Sequence, residues 1–156
     1  MHPLAGTFVP PFGFPTWAVR SGRCLAAFPS MRDAERPILI VEDDPSHRGF
    51  LAELLQSHGY SVMTATDGEQ ALTLARDKSP SLILLDLQMP GMDGFAFRAA
   101  QLRSPELANT PVIIISGLDD EVQVARRIGP MAEVRKPIDV DALLEQVALY
   151  CERSRL

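Results

Sequence analysis

From residue 37 onward, short apolar runs alternate with stretches whose apolar residues recur every three or four positions. The run Ile38-Leu39-Ile40-Val41 is apolar without a break, the pattern of a strand buried on both faces. Asp44-Pro45-Ser46 then predicts a helix start, because Asp44 can cap it and Pro45 suits its first position. Phe50, Leu51, Leu54 and Leu55 fall on one face of that helix, and Gly59 closes it. Residues 61–66 predict a second strand, and Asp67-Gly68 leads a helix to about Lys78 that carries Ala71, Leu72, Leu74 and Ala75. Ser79-Pro80 stops that helix before a third strand over residues 82–85. A turn-rich loop from Asp86 to Gly94 precedes a helix over residues 95–102. Thr110-Pro111 introduces a fourth strand over 112–115, followed by a short helix over 121–128 and a weak fifth strand over 133–135. The last helix, 140–153, sets Val140, Leu143, Leu144, Val147 and Cys151 on one stripe.

Five repeats of strand then helix over about 120 residues imply a parallel sheet with helices on both faces. Sites in such folds lie beyond the carboxyl ends of the strands. Acidic residues stand at those ends here: Glu42 and Asp43 after the first strand, and Asp86 after the third. Carboxylates brought that close repel one another unless a cation sits among them. Ligands made only of oxygen suit a hard divalent ion such as Mg2+. A pocket of this kind suits the handling of a phosphoryl group. Asp44 is set apart from the other acids, because Pro45 behind it marks it as the helix cap.

Before residue 31 the pattern is absent. Five of the chain's thirteen prolines and half of its ten aromatic residues fall in this stretch, with neither a strand nor a helix period. Residues 1–36 are therefore expected to be a largely unstructured extension, with a single domain over residues 37–156. Met31 is a plausible true start, which would make the upstream segment an artefact of start-site assignment. The rival reading is a docking tail built on Phe8, Phe12, Phe14 and Trp17.

Charge narrows the function classes. Residues 1–36 carry a net +2 and the remainder a net −7, within a total of −5. A domain that acidic is a poor candidate for direct nucleic-acid binding, which needs Lys and Arg gathered on one face. The two cysteines (Cys24 and Cys151) and the three histidines (His2, His47 and His58) have no metal-ligand spacing, and free thiols are expected. No apolar stretch reaches membrane-spanning length, and the head lacks the basic start and unbroken apolar centre of a secretory signal. The expectation is a cytoplasmic protein without membrane insertion.

Four motifs in order then carry a family resemblance: Val41-Glu42-Asp43-Asp44, the run from Leu85-Asp86 through Met89-Pro90-Gly91 to Asp93-Gly94, Ile115-Ser116-Gly117, and Arg135-Lys136-Pro137. Together they resemble the receiver domain of response regulators, the phosphoacceptor module of two-component signalling, over residues 37 to about 154. The resemblance implies a doubly wound, flavodoxin-like α/β fold with a five-stranded parallel sheet of order 2-1-3-4-5. It implies that Asp86 takes a phosphoryl group from a histidine kinase or histidine phosphotransfer protein. It further implies that Glu42, Asp43, Asp86 and the Gln88 backbone carbonyl hold Mg2+, Glu42 directly or through water. Ser116 would donate its hydroxyl to a phosphoryl oxygen, with Gly117 leaving room. Lys136, one of two lysines in the chain, would pair with Asp86 and later with the phosphoryl group, aimed by the cis Lys-Pro bond that Pro137 resembles.

One departure stands out. Glu133 occupies the position, three before the lysine, where the family usually has an aromatic residue, and the segment between Ser116 and Lys136 looks about two residues short. With no linker or basic helix-turn-helix after the last helix, output is expected through a downstream protein target or by phosphorelay. Two other classes compete. A receiver-shaped binding module would never be phosphorylated. An aspartate-based Mg2+-dependent phosphohydrolase would normally carry a second Asp two residues after the first, where this chain has Gln88.

Overall fold

The computed structural model describes residues 36–117, 129 and 132–153. The expected unstructured head and the helix expected over residues 121–128 lie outside the described residues. Five strands, β1 (Ile38–Val41), β2 (Val62–Ala65), β3 (Leu82–Asp86), β4 (Val112–Ser116) and β5 (Ala132–Arg135), alternate with four described helices. The helices are α1 (Pro45–Ser57), α2 (Gly68–Lys78), α3 (Gly94–Arg103) and α4 (Val140–Arg153). The strands form one parallel sheet of order β2-β1-β3-β4-β5.

The unbroken apolar strands have a simple cause. Alternate residues of each strand point to opposite faces, and both faces are covered. Leu39, Val41, Ile83, Leu85, Val112 and Ile114 pack with Ala71, Leu72 and Ala75 of α2 and Phe97 of α3. Their neighbours Ile38, Ile40, Leu82, Leu84, Ile113 and Ile115 pack with Leu51 and Leu55 of α1 and Leu143, Leu144 and Val147 of α4. Burying one such side chain contributes roughly 1.5–3 kcal/mol. A one-residue slip of any central strand would send its whole set to the wrong layer, so the register is fixed by packing.

Helix starts follow the polar signals. Asp44, Asp67 and Asp93 each cap a helix by accepting backbone N–H groups: Ser46 and His47 for α1, Gln70 for α2 and Ala96 for α3. The stripe expected on α1 needs one correction. Leu51 and Leu55 are buried and Leu54 packs at the edge of the core, but Phe50 is 46% exposed. One residue before Leu51, it is turned about 100° around the helix and clears the sheet. β3 and β4 run one residue past the expected bounds, closing on Asp86 and Ser116, whereas β2, expected over residues 61–66, spans only Val62–Ala65.

The loop after β3 is pinned tightly. Gly91 has φ +76°, a conformation that favours glycine, and Gly94 N donates to Leu87 O at 3.2 Å. A Cβ on Gly94 would sit 2.5 Å from Asp86 O and 2.7 Å from Leu87 Cα, so the backbone of α3 touches the backbone that carries Asp86. Gly94→Ala should therefore lower stability by about 1–3 kcal/mol, because both obstructing atoms are main chain. Gly49→Ala should raise it by about 0.5–1 kcal/mol, since its Cβ meets nothing within 4 Å in a helix interior. Chemical denaturation of both variants measures the two signs.

Candidate functional site

Parallel register sets the site. Val41 of β1 pairs with Leu85 of β3, and Asp86 pairs with Ile115 of β4. The residues that follow these positions, Glu42 and Asp43, Asp86 itself and Ser116, are thus delivered to one edge of the sheet. Ser116 in turn pairs with Arg135 on β5, which brings Lys136 to the same edge. Lys136 N donates to Ser116 O at 2.9 Å, and the Lys136-Pro137 peptide is cis.

There the side chains converge. One carboxylate oxygen each from Glu42, Asp43 and Asp86 lies within 4.8 Å of the others. Lys136 Nζ donates to Glu42 Oε2 at 3.1 Å and lies 3.6 Å from Asp86 Oδ2. Asp86 is only 5% exposed and Glu42 2%, whereas Asp43 stands open to solvent. The arrangement is two buried acids, one exposed acid at the mouth and an ammonium bridging the buried pair. Two like charges about 4 Å apart at a protein surface repel by about 4 kcal/mol, so one ammonium leaves the trio under-neutralised. Three convergent carboxylates and no nitrogen or sulfur donor in the trio fit a hard divalent cation.

The electrostatics follow from this crowding. Burial, then the neighbouring Asp86 charge, pushes the Glu42 carboxyl up to about 7, against the pull of Lys136. Burial works against the Lys136 ammonium, but the Asp86 charge and the Glu42 hydrogen bond outweigh it and hold its pKa above the ordinary value. Asp44, by contrast, is held below the usual carboxylate range, chiefly by the His47 N–H. That agrees with its work as a helix cap, accepting from Ser46 N and His47 N.

The remaining expected residues are nearby. Gln88 is exposed, and its N–H donates to Asp86 Oδ1 at 3.2 Å, so the chain after Asp86 folds back over the carboxylate. Ser116 is buried at the end of β4, and a Cβ on Gly117 would meet nothing within 4 Å, which leaves open space beside it. Glu133 lies partly buried on β5, paired in register with Ile114.

Sequence reasoning missed two neighbours. His47 Nδ1 stands 3.9 Å from Glu42 Oε2 at the rim of the pocket. Arg48 Nη1 donates to both Glu42 O and Asp43 O, at 2.9 and 3.0 Å. Their signal was available in principle, because the first turn of a helix that starts at Asp44 must pass beside the acids just before it. A third surprise lies away from the site. Arg98 is buried in α3 and donates to Gln101 Oε1 at 2.6 Å and Gly129 O at 2.8 Å. Gln101 in turn holds Leu107 O and Thr110 O, tying the loop before β4 to the helix.

A five-stranded parallel α/β sheet with an acid trio and a lysine at its carboxyl edge is the architecture of a receiver domain. The response regulator receiver domain model matches residues 38–148, and the chain belongs to that family. Protein PilH of Pseudomonas aeruginosa is 34% identical over 112 residues, spanning 70% of this chain and 93% of that protein. Sporulation initiation phosphotransferase F of Bacillus subtilis is 32% identical over 113 residues, 72% of this chain and 91% of that protein. The match to transcriptional regulatory protein PdtaR of Mycobacterium tuberculosis, 34% identical, spans 77% of this chain but only 58% of that protein. Among solved structures, the receiver domain of the Francisella response regulator 1452 superposes with a TM-score of 0.69 at 29% identity, covering 76% of this chain and 98% of that one. Chemotaxis response regulator CheY4 of Vibrio cholerae gives 0.68 at 29% identity, covering 74% and 98%. Among the described residues no helix is long and apolar enough to cross a membrane.

The raised Glu42 pKa has two measurable consequences in metal-free protein. The folded state holds a proton on Glu42 that the unfolded chain releases near its ordinary value of 4.5. Folding stability carried by this group is therefore present at low pH and declines as pH rises through the window from 4.5 to about 7. A cation seated among the carboxylates must displace that proton, so apparent Mg2+ affinity should rise with pH and level off above about 7. Calorimetric titration across this range should show proton release at pH 6 and little at pH 8. Equal release at both would remove Glu42 from the site.

Proposed function

We propose that this protein is a response regulator that accepts a phosphoryl group on Asp86 from a sensor histidine kinase or histidine phosphotransfer protein. The observation that carries the reading is the meeting of the Asp86 carboxylate with Lys136 at 3.6 Å and with Glu42 and Asp43 inside one cluster. Asp86 acts as the nucleophile. Its burial strips competing water, and the Gln88 N–H steadies one oxygen while the other faces Lys136. Glu42, Asp43, Asp86 and the Gln88 carbonyl would hold Mg2+, which would supply charge neutralisation for the transferring phosphoryl group.

Lys136 has two partners at rest and gains a stronger one when a phosphoryl oxygen arrives. Ser116 then offers its hydroxyl to a second oxygen, across the open space beside Gly117. The difference between these contacts and those of the resting state drives a population shift at the carboxyl end of β4. Output is by protein contact or by passing the phosphoryl group onward, as the near full-length match to a sporulation phosphotransferase supports. The reading takes the protein to act in the cytoplasm, with residues 1–36 as an extension that does not take part in the chemistry.

Incubation with acetyl phosphate and Mg2+ should add one labile phosphoryl group, seen as a mass gain that chelation prevents. Asp86→Asn should lose it altogether, and Lys136→Met should slow its appearance by about 100-fold if the ammonium stabilises the transferring charge. Label retained in the Asp86→Asn protein would sink the reading.

A further inference from the structure

Arg48 holds three successive carbonyls. Its backbone N–H donates to Asp44 O at 2.9 Å as the first turn of α1. Its side chain reaches back so that one nitrogen, Nη1, donates to Glu42 O at 2.9 Å and to Asp43 O at 3.0 Å. The short segment from β1 to α1 is therefore gripped by a single residue along its carbonyl side. On its amide side, Glu42 N donates to Ala65 O at 3.1 Å and Asp44 N to Glu42 Oε1 at 3.2 Å.

We propose that Arg48 is a positioning residue for the cation site: by fixing the carbonyls of Glu42 and Asp43 it sets the direction in which their carboxylates leave the backbone. The inference rests on the proposed Mg2+-dependent chemistry and adds to it a residue outside the acid trio. Three observations separate this role from ordinary helix capping. Asp44 already caps α1 through Ser46 N and His47 N, so the helix does not need Arg48 for that purpose. Both acceptors belong to residues of the acid cluster. Asp43 is also the exposed member of the cluster, and its carbonyl is one of the two that Arg48 holds.

Charge and position act in opposite directions here, which makes the role testable by sign. A guanidinium close to a dication repels it, so if Arg48 contributed only charge, its removal would tighten Mg2+ binding. If it positions the carboxylates, its removal weakens binding, because the two ligand-bearing residues are released from their shared anchor. Loss of partners that orient metal ligands typically lowers affinity by about 10–100-fold.

The test is calorimetric titration of full-length protein with Mg2+ alone, comparing wild type, Arg48→Met and Arg48→Lys. Arg48→Met should bind about 10-fold more weakly. Arg48→Lys keeps the charge on a side chain one bond shorter, without the planar fork that fixes the N–H directions, and should fall between the other two. With acetyl phosphate, the Mg2+ concentration giving half-maximal phosphorylation should rise in the same order. The rate at saturating Mg2+ should stay within about twofold of wild type, since the positioned state is recovered once the cation is bound. A merely structural loss would instead lower the metal-free thermal midpoint and the saturated rate together, and that pattern overturns the proposal. Unchanged or tighter binding by Arg48→Met overturns it as well. Wild-type protein that fails to bind Mg2+ removes the chemistry itself, a distinct result that takes this inference with it.

Discussion

The mutual repulsion of three carboxylates is the constraint around which this molecule is arranged. Glu42, Asp43 and Asp86 come from two different strand ends, yet their oxygens lie within 4.8 Å of one another. Such a cluster persists only because the rest of the fold holds it. The central strands contribute fully buried apolar residues in both layers, and the parallel register leaves the strand ends no freedom to separate. Lys136 offsets part of the charge, and Glu42 relieves more of it by favouring its protonated form up to about 7. The cluster thus keeps negative charge that Lys136 offsets only in part.

Local backbone anchoring complements the core. Each segment that carries a site residue is tied by main-chain contacts close to it. Arg48 grips the carbonyls after β1, Gly94 lets α3 press against the Asp86 carbonyl, and Lys136 N bonds Ser116 O across the two last strands. The division of labour is physical. Apolar packing places strands to within the pleat, and these hydrogen bonds then fix where each side chain leaves the backbone.

The site and most of the fold were legible in the residues because each signal was local. Apolar runs of four or five residues marked strands, Asp44 and Asp67 marked helix starts, and the acids followed strands directly. Where the signal was not local, the reading failed or stayed silent. Phe50 looked inward because it neighbours Leu51 in an apolar group, but facing direction depends on where the sheet lies relative to the helix. Arg98 and Gln101 resemble ordinary polar residues of an exposed helix face, yet both are buried, with their partners supplied by backbone carbonyls up to 31 residues away. Side-chain chemistry alone does not announce such partners.

By itself, the sequence determined the alternation of strands and helices, the two-sided burial of the sheet and the position of every candidate acid at a strand end, since these depend on periodicity and neighbouring residues. The separation of Asp86 from Lys136, the protonation of Glu42 and the grip of Arg48 on two carbonyls were decided only by tertiary structure. Distances between residues 5 to 94 positions apart, and the burial that raises a carboxyl pKa, are properties of packed strands and helices in three dimensions.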